Sequence, residues 1–335
     1  MKISASVYSH TNDEIDQIVH NLEQIGVDYF HVDCNDEPKV FDEIALMRKH
    51  SNKPIDLHLI TSTPDKYWQL IQEHKPDFVC FQYEELPSNF EFKNIDGVSF
   101  GLAIKTDTPI SVFETYKNQC DFILLMATTP GKSGGTFDAE NFKKVRSFMR
   151  YYPAKNITVD GGVNAEVSFV LRSYGVATAV VGSYLAQSNK RAVSLNQLKY
   201  ENTESHFKVA DMMVSRSHLP ILKSETCTLE SVLKCNEDFR LGYTLIENAE
   251  EELIGISTNA DIRRALLKRH NSLQDLVVED VINSKPKTIN EHCTITEMLD
   301  VIKNSNHFIS YMPVLSNNNK LKGAINLHFL IKGEL

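Results

Sequence analysis

Residues 29–33 read Tyr-Phe-His-Val-Asp, a short apolar run that carries two polar residues, His31 and Asp33, at its end. The same pattern recurs in residues 55–59, Ile-Asp-Leu-His-Leu, and in residues 156–160, Asn-Ile-Thr-Val-Asp. Each run has the length and apolar character of a buried β-strand, and helix-like stretches separate the runs. Strands that alternate with helices predict a parallel sheet, and closure into a barrel would bring the strand ends to one mouth.

Four side chains at these strand ends form a candidate metal site: His31, Asp33, His58 and Asp160. Two imidazoles and two carboxylates suit a borderline divalent ion such as Zn²⁺, Fe²⁺, Mn²⁺ or Co²⁺, and the absence of a thiolate argues against a purely structural zinc. Any one of these residues alone is more often an isolated polar residue of a barrel mouth. Together they predict one divalent metal ion and metal-assisted chemistry.

Strand-like runs recur along the first half of the chain, and we predict eight of them. They cover residues 2–7, 28–33, 55–60, 77–81, 97–104, 121–126, 156–160 and 178–182. Eight strands within ~185 residues is close to the smallest size of a (β/α)8 barrel. We therefore predict an α/β protein in which residues 1–187 form a (β/α)8 TIM barrel. Polar residues 188–207 predict a linker, partly helical around 190–200.

Glycines follow the later predicted strands. In such barrels the loops after strands seven and eight commonly hold a phosphate through backbone N–H groups, because glycine lets the backbone approach the anion closely. Gly161, Gly162, Gly182 and Ser183 fit that place. Glycine-rich turns are also ordinary turn chemistry, so this signal alone is weak.

Composition limits the classes of function. The chain has 335 residues, 42% of them hydrophobic, and a net charge of −9, which disfavours nucleic acid or an anionic membrane as a partner. We see no signal peptide and no apolar run near the ~20 residues that span a bilayer, so we expect a cytoplasmic protein. The six cysteines form no CxxC pair and are expected to be reduced.

A second pattern appears twice in the rest of the chain. Residues 253–261 read Leu-Ile-Gly-Ile-Ser-Thr-Asn-Ala-Asp, and residues 321–329 read Leu-Lys-Gly-Ala-Ile-Asn-Leu-His-Phe. A strand-like run precedes each copy and a helix-like run follows it. An internal repeat of ~60 residues predicts two copies of one unit packed on each other, so residues 208–335 form a smaller α+β module with copies at about 208–272 and 273–335.

The first part of the chain resembles the ribulose-phosphate 3-epimerase family along nearly all of residues 1–187. The matching residues are Ala5–Ser9, Gly26–Asp33 with Asp36, Asp56–Leu59, Glu84, Thr108–Pro109, Leu124–Met126, Pro130–Gly131 with Gly134 and Phe137, Val159–Gly162 and Val181–Ser183. The resemblance implies that His31, Asp33, His58 and Asp160 hold the metal and that Asp33 and Asp160 exchange the proton. It implies substrate contacts from Ser6, His58, Met126, Gly131, Gly134, Gly161, Gly162, Gly182 and Ser183.

The implied reaction inverts C3 of a ketose phosphate, converting D-ribulose 5-phosphate to D-xylulose 5-phosphate. The hydrogen at C3 is only weakly acidic, so a metal that bridges O2 and O3 would stabilise the developing cis-enediolate. Two carboxylates on opposite faces would let one remove the proton while the other delivers one.

Several residues depart from the family pattern. Asn35 and Ile60 replace two of three methionines that usually line the site, Met126 remains, and Gln82 stands where the family often has histidine. Asn35 and Glu37 could bind a differently substituted sugar, although neutral drift explains them about as well. An epimerase of a hexulose or heptulose phosphate in capsule or lipopolysaccharide precursor synthesis is therefore an alternative, and a catalytically inactive nucleotide sensor is another.

Residues 208–335 resemble a tandem pair of CBS domains, most closely those of arabinose-5-phosphate isomerases. The matching residues are Val209–Met213, Leu219–Pro220, Gly255–Arg264 and Gly323–His328. The resemblance implies that Thr258 and Asp261 hold the ribose or phosphate of a nucleotide or nucleotide-sugar effector. Phe329 replaces the aspartate expected in the second copy, so we expect one ligand per pair, mainly at the first copy. We also expect a homo-oligomer, since closed symmetric oligomers dominate.

Overall fold

The computed structural model describes residues 1–10, 13–130, 134–200, 207–270, 272–305 and 309–327. These residues fall into two compact units, one formed by residues 1–200 and the other by residues 207–327. Within the described part of the chain, no helix is long and apolar enough to cross a membrane.

The first unit is a closed barrel of eight parallel strands in chain order. The strands are β1 (Lys2–Ser6), β2 (Tyr29–Cys34), β3 (Ile55–Leu59), β4 (Phe78–Gln82), β5 (Ser99–Lys105), β6 (Phe122–Met126), β7 (Asn156–Asp160) and β8 (Thr178–Val181). Both ends of every strand lie within two residues of the predicted run. The prediction of an α/β protein with a (β/α)8 barrel is therefore confirmed.

Helices surround this barrel. They are α1 (Ile15–Ile25), α2 (Val40–His50), α3 (Trp68–His74), α4 (Phe113–Tyr116), α5 (Glu140–Tyr151), α6 (Ala165–Tyr174), α7 (Ser183–Ala186) and α8 (Arg191–Lys199). Helix α1 shows the local logic: Ile18, Val19 and Leu22 recur at helical spacing and are buried, while Gly26 ends the helix in the left-handed conformation that glycine adopts without strain.

Helix α8 lies inside the segment that the sequence predicts as a linker. Its Leu195 and Leu198 are buried, and the carbonyl of Leu198 accepts a 2.5 Å hydrogen bond from Ser168 in α6. Lys199 forms an ion pair with Asp28 at 2.7 Å. The helix expected around 190–200 is thus present, but it packs as the last helix of the first unit.

Strand alternation decides which side chains face the barrel interior. Because successive residues point to opposite faces of a strand, His31 and Asp33 share one face of β2, and Asp56 and His58 share one face of β3. The strand register places His31 opposite Asp56 and Asp33 opposite His58. The polar residues of both strands therefore meet inside the barrel.

The second unit contains the internal repeat. Its helices are α9 (Val209–Met212), α10 (Leu229–Phe239), α11 (Asn259–Lys268) and α12 (Ile295–Lys303), and its strands are β9 (Val214–Ser215), β10 (Ile221–Lys223), β11 (Tyr243–Glu247), β12 (Leu253–Thr258), β13 (Ile289–Asn290), β14 (Tyr311–Leu315) and β15 (Leu321–Asn326). In each copy a strand pairs parallel with the next, which pairs antiparallel with the third. Strands β11 and β14 both shift register at their last residue. This shared topology agrees with the predicted repeat.

Candidate active site

The four candidate metal ligands come from three strands and converge inside the barrel. His31 and Asp33 come from β2, His58 from β3 and Asp160 from β7. Each offers one ligand atom, and these atoms all lie within 4.8 Å of one another. Nδ1 of His58 is 3.1 Å from Oδ1 of Asp33, and Nε2 of His31 is 3.4 Å from the same oxygen. The geometry brings the four residues to one point in the barrel.

Two further residues orient the histidine rings. Nδ1 of His31 lies 3.0 Å from Oδ2 of Asp56, and this oxygen also accepts a 2.9 Å hydrogen bond from Ser4. Nε2 of His58 lies 2.8 Å from Oε1 of Gln82. Hydrogen bonds of this kind fix which nitrogen of an imidazole is free to bind a metal.

The donor set fits a divalent ion. Nε2 of His31 is buried and has no hydrogen-bond partner among the described residues. With Nδ1 bonded to Asp56, this nitrogen lies 3.4 Å from Oδ1 of Asp33 and is the ring nitrogen available to a metal. Several buried acceptor atoms in such close approach require a proton or a cation to offset their repulsion. Imidazole nitrogens with carboxylate oxygens are a common ligand set for zinc and iron.

The pKa values of Asp33 and Asp160 are shifted in opposite directions. Burial, assisted by the carboxylates of Asp33 and Asp56, raises the pKa of Asp160 to about 6 against the opposing effect of the histidines. Burial also disfavours the charge on Asp33, but His31 and His58 outweigh it and hold the pKa of Asp33 well below its usual range. Carboxyl groups with such different environments are suited to different roles in proton transfer.

A cavity opens beside these ligands. It is lined by Ser6, Ser9, His31, Asp33, Thr128, Gly134, Gly135, Asp160, Gly161, Gly162, Val163, Val180, Gly182 and Ser183. Gly162 has φ +65°, and a Cβ atom there would lie 2.2 Å from the backbone nitrogen of Phe137. A side chain does not fit at that position, so glycine is required where the loop after β7 approaches the cavity.

Other predicted site residues lie elsewhere. Met126 is buried in the apolar cluster that fills the barrel interior and does not line the cavity in the described part of the chain. Asn35 and Glu37 are exposed and likewise stay outside that lining, and Glu37 pairs with Lys39 at 2.9 Å. Gly131 lies outside the described residues.

In the second unit, Thr258 and Asp261 form a capping box at the start of α11. Oδ2 of Asp261 accepts hydrogen bonds from the backbone nitrogen and the hydroxyl of Thr258, at 2.9 and 2.5 Å, and Arg264 donates to Oδ1. A cavity of about 520 Å³ lies beside this turn, lined by Leu233, Asn236, Glu237, Arg240, Leu241, Gly242, Asn259, Ile262 and Tyr311. Asn259 and Ile262, the neighbours of the two predicted residues, line this cavity, whereas Thr258 and Asp261 are outside its described lining and bond to each other.

A (β/α)8 barrel with clustered titratable side chains and a cavity at the carboxyl ends of its strands has the architecture of an enzyme. The sequence profile of the ribulose-phosphate 3 epimerase family matches residues 2–186, more than half of the chain. The chain therefore belongs to the ribulose-phosphate 3-epimerase family, and the predicted isomerase class is confirmed. The sequence profile of the CBS domain matches residues 278–328, within the second predicted copy, which confirms that a CBS domain follows the barrel.

Similar proteins include curated ribulose-phosphate 3-epimerases. The ribulose-phosphate 3-epimerase of Schizosaccharomyces pombe is 27% identical over 62% of this chain and 98% of its own length. That of Bacillus subtilis is 26% identical over 58% of this chain and 97% of its own length. Among solved structures, CBSX2 in complex with AMP is 14% identical, with a TM-score of 0.33 over 38% of this chain and 96% of its own.

Proposed function

We propose that the barrel catalyses the metal-dependent 3-epimerisation of a ketose phosphate, with D-ribulose 5-phosphate as its substrate. The observation that carries the proposal is the presence of two carboxyl groups, Asp33 and Asp160, within one cluster of four candidate metal ligands. The names of the relatives favour the pentulose. The positions of Asn35 and Glu37 outside the described cavity lining give no support to a larger sugar.

Each residue then has a chemical task. A divalent ion, held by His31, Asp33, His58 and Asp160, supplies positive charge to stabilise the negative charge that develops on the substrate oxygens. Asp33 and Asp160 hold and move the proton, one removing it from C3 and the other delivering one to the opposite face. They come from β2 and β7, which β1 and β8 separate in the barrel, so they reach the sugar from two directions.

The remaining cavity residues bind the rest of the substrate. Ser6 contacts the sugar, and the backbone around Gly134, Gly161, Gly162, Gly182 and Ser183 binds the phosphate. These residues line the same cavity as the acidic pair. Backbone N–H groups that converge on a concave surface suit an anion, and the glycines allow its close approach.

The experiment measures incorporation of solvent deuterium at C3 across pentulose, hexulose and heptulose phosphates, after chelation and after readdition of Zn²⁺, Fe²⁺, Mn²⁺ or Co²⁺. We expect exchange and epimerisation to be fastest with D-ribulose 5-phosphate and to require metal. A preference for a hexulose or heptulose phosphate would refute the substrate, and metal-independent exchange would refute the mechanism. Failure of every sugar to exchange with metal bound would instead support an inactive sensor.

We further propose that the second unit binds one nucleotide-type ligand, mainly at its first copy, and thereby regulates the barrel. The cavity of about 520 Å³ supports this, since Gly242 and Asn259 line it and Asn259 directly follows Thr258. Arg240 and Glu237 place both signs of charge at the same cavity. A cavity of this volume is in the range that small-molecule ligands occupy.

A further inference from the structure

A chain of hydrogen bonds runs from His58 to Glu84 through Gln82. Nε2 of His58 lies 2.8 Å from Oε1 of Gln82, and Nε2 of Gln82 donates to the carboxylate of Glu84. Gln82 is the last residue of β4 and is fully buried. Its amide group therefore has one donor side and one acceptor side, each with a defined neighbour.

Glu84 fixes which group donates in each of these hydrogen bonds. Its Oε1 accepts a 2.9 Å hydrogen bond from the backbone nitrogen of Lys105 and another from the hydroxyl of Thr108. Although burial opposes ionisation, these donors and Gln82 hold the pKa of Glu84 below its ordinary value. An ionised carboxylate only accepts hydrogen bonds, so the NH₂ group of Gln82 faces Glu84 and its oxygen faces His58.

We propose that Gln82 is a positioning residue that keeps the hydrogen of His58 on Nε2 and leaves Nδ1 free to bind the metal. The oxygen of an amide carries no hydrogen, so Nε2 of His58 must donate to it. Nδ1 lies 3.1 Å from Oδ1 of Asp33 and is the ring nitrogen that faces the other candidate metal ligands. The assignment of Nδ1 to the metal rests on the proposed function, whereas the assignment of the hydrogen to Nε2 does not.

His31 has the opposite arrangement. Its Nδ1 donates to Asp56, so Nε2 is the free nitrogen. The two histidines consequently use different ring nitrogens, and each is fixed by its own acceptor. A change at Gln82 should therefore alter the ring of His58 while the ring of His31 stays as it is, which provides an internal control.

The test uses the full-length protein with ¹⁵N-labelled histidine. Gln82→Met removes both hydrogen-bonding groups at similar volume, while Gln82→His keeps a donor on one side and an acceptor on the other. Gln69→Met makes the same change at an exposed glutamine that bonds Glu73 at 2.8 Å. Glu84→Gln frees the amide of Gln82 to rotate. This variant tests the same proposal if Gln82→Met does not fold.

In the wild type without added metal, we expect the NMR signals of His58 to show hydrogen on Nε2. Gln82→Met and Glu84→Gln should give a mixture of hydrogen positions, and Gln82→Met should lower Zn²⁺ affinity in calorimetry about 10- to 100-fold. Gln82→His and Gln69→Met should resemble wild type. Absence of hydrogen from Nε2 of His58 in the wild type, or an unchanged hydrogen position and Zn²⁺ affinity in Gln82→Met, would overturn the proposal. Failure of the wild type to bind Zn²⁺ contradicts the proposed function, while the tautomer still decides the role of Gln82.

Discussion

Asp33 and Asp160 carry the same carboxyl group, and their surroundings give the two groups different chemistry. Asp33 bonds to His58 at 3.1 Å and lies 3.4 Å from His31, whereas burial dominates at Asp160. The difference between the two carboxyl groups thus follows from the strand on which each residue lies.

We expect Asp33→Asn and Asp160→Asn each to lower kcat for epimerisation by about 10²- to 10⁴-fold, because each removes a proton-transfer group and weakens a metal ligand. Steady-state rates with D-ribulose 5-phosphate and saturating metal measure the effect. Asp42→Asn, an exposed substitution in α2, is the control and should leave the rate unchanged. Retention of more than about a tenth of the wild-type rate by either active-site variant, with metal bound, would contradict the assignment.

Gly162 provides a test of the phosphate loop. Gly162→Ala places a Cβ 2.2 Å from the nitrogen of Phe137 at a positive φ, so we expect a large rise in KM and loss of stability. Gly97→Ala is the matched control, because Gly97 has φ +85° but nothing within 4 Å of the added atom. That variant should cost only about 1–2 kcal/mol of unfolding free energy and leave KM unaltered. Equal effects of the two variants on KM would argue against a binding role for this loop.

The sequence predicts the candidate metal ligands better than the residue that orients the ring of His31. His31, Asp33, His58 and Asp160 stand out because polar side chains end apolar runs. Asp56 lies two residues before His58, within its run, and strand alternation alone puts it on the same face. Its bond to His31 depends on the register between β2 and β3, which the sequence does not specify.

At the scale of elements, the strands could be predicted because buried parallel strands read as continuous apolar runs. Helix α8 could be predicted as a helix but not as part of the barrel unit. Its sequence, Arg-Ala-Val-Ser-Leu-Asn-Gln-Leu-Lys, has few apolar residues and reads as polar connecting chain. Its burial depends on contacts with α6 and Asp28, which are distant in sequence.

We expect Leu198→Ala to lower the free energy of unfolding of the barrel unit by about 2–5 kcal/mol, since Leu198 is fully buried. Val193→Ala in the same helix should change it by no more than about 0.5 kcal/mol, because Val193 is 49% exposed. Denaturant unfolding followed by the fluorescence of Trp68, the single tryptophan of the chain, reports on this unit. A small effect of Leu198→Ala would mean that α8 acts as a linker after all.

At the scale of the whole molecule, metal binding should couple to the stability of the barrel. We expect chelation to abolish epimerisation and a divalent transition metal to restore it. Metal at 100 times its Kd should stabilise the barrel by about 2.7 kcal/mol and raise Tm by about 5–10 °C in calorimetry. Asp160→Asn should show a smaller rise. A Tm that does not respond to any of the four metals would contradict a metal site in the barrel.

Regulation needs a ligand that couples the two units. A nucleotide bound beside Thr258 and Asp261 would meet the amino end of α11, where backbone N–H groups attract phosphate. A coupling free energy of about 1–3 kcal/mol changes affinity about 5- to 150-fold, and the coupling must be reciprocal for binding. Binding of a nucleotide should therefore shift the affinity for the sugar phosphate, and the sugar phosphate should shift the affinity for the nucleotide by the same factor.

Calorimetry on the full chain with adenine nucleotides, cytidine nucleotides and CMP- or CDP-sugars measures this coupling. We expect one ligand per chain, lost in Asp261→Ala. That variant also removes a helix cap, at a cost of about 1 kcal/mol, so Glu297→Ala, which removes the capping carboxylate of α12, is the matched control and should still bind. If the wild type binds no nucleotide, or binds one without a change in affinity for the sugar phosphate, the second unit has no regulatory role of this kind. Because both variants lose a cap, only a difference between them reports on the ligand.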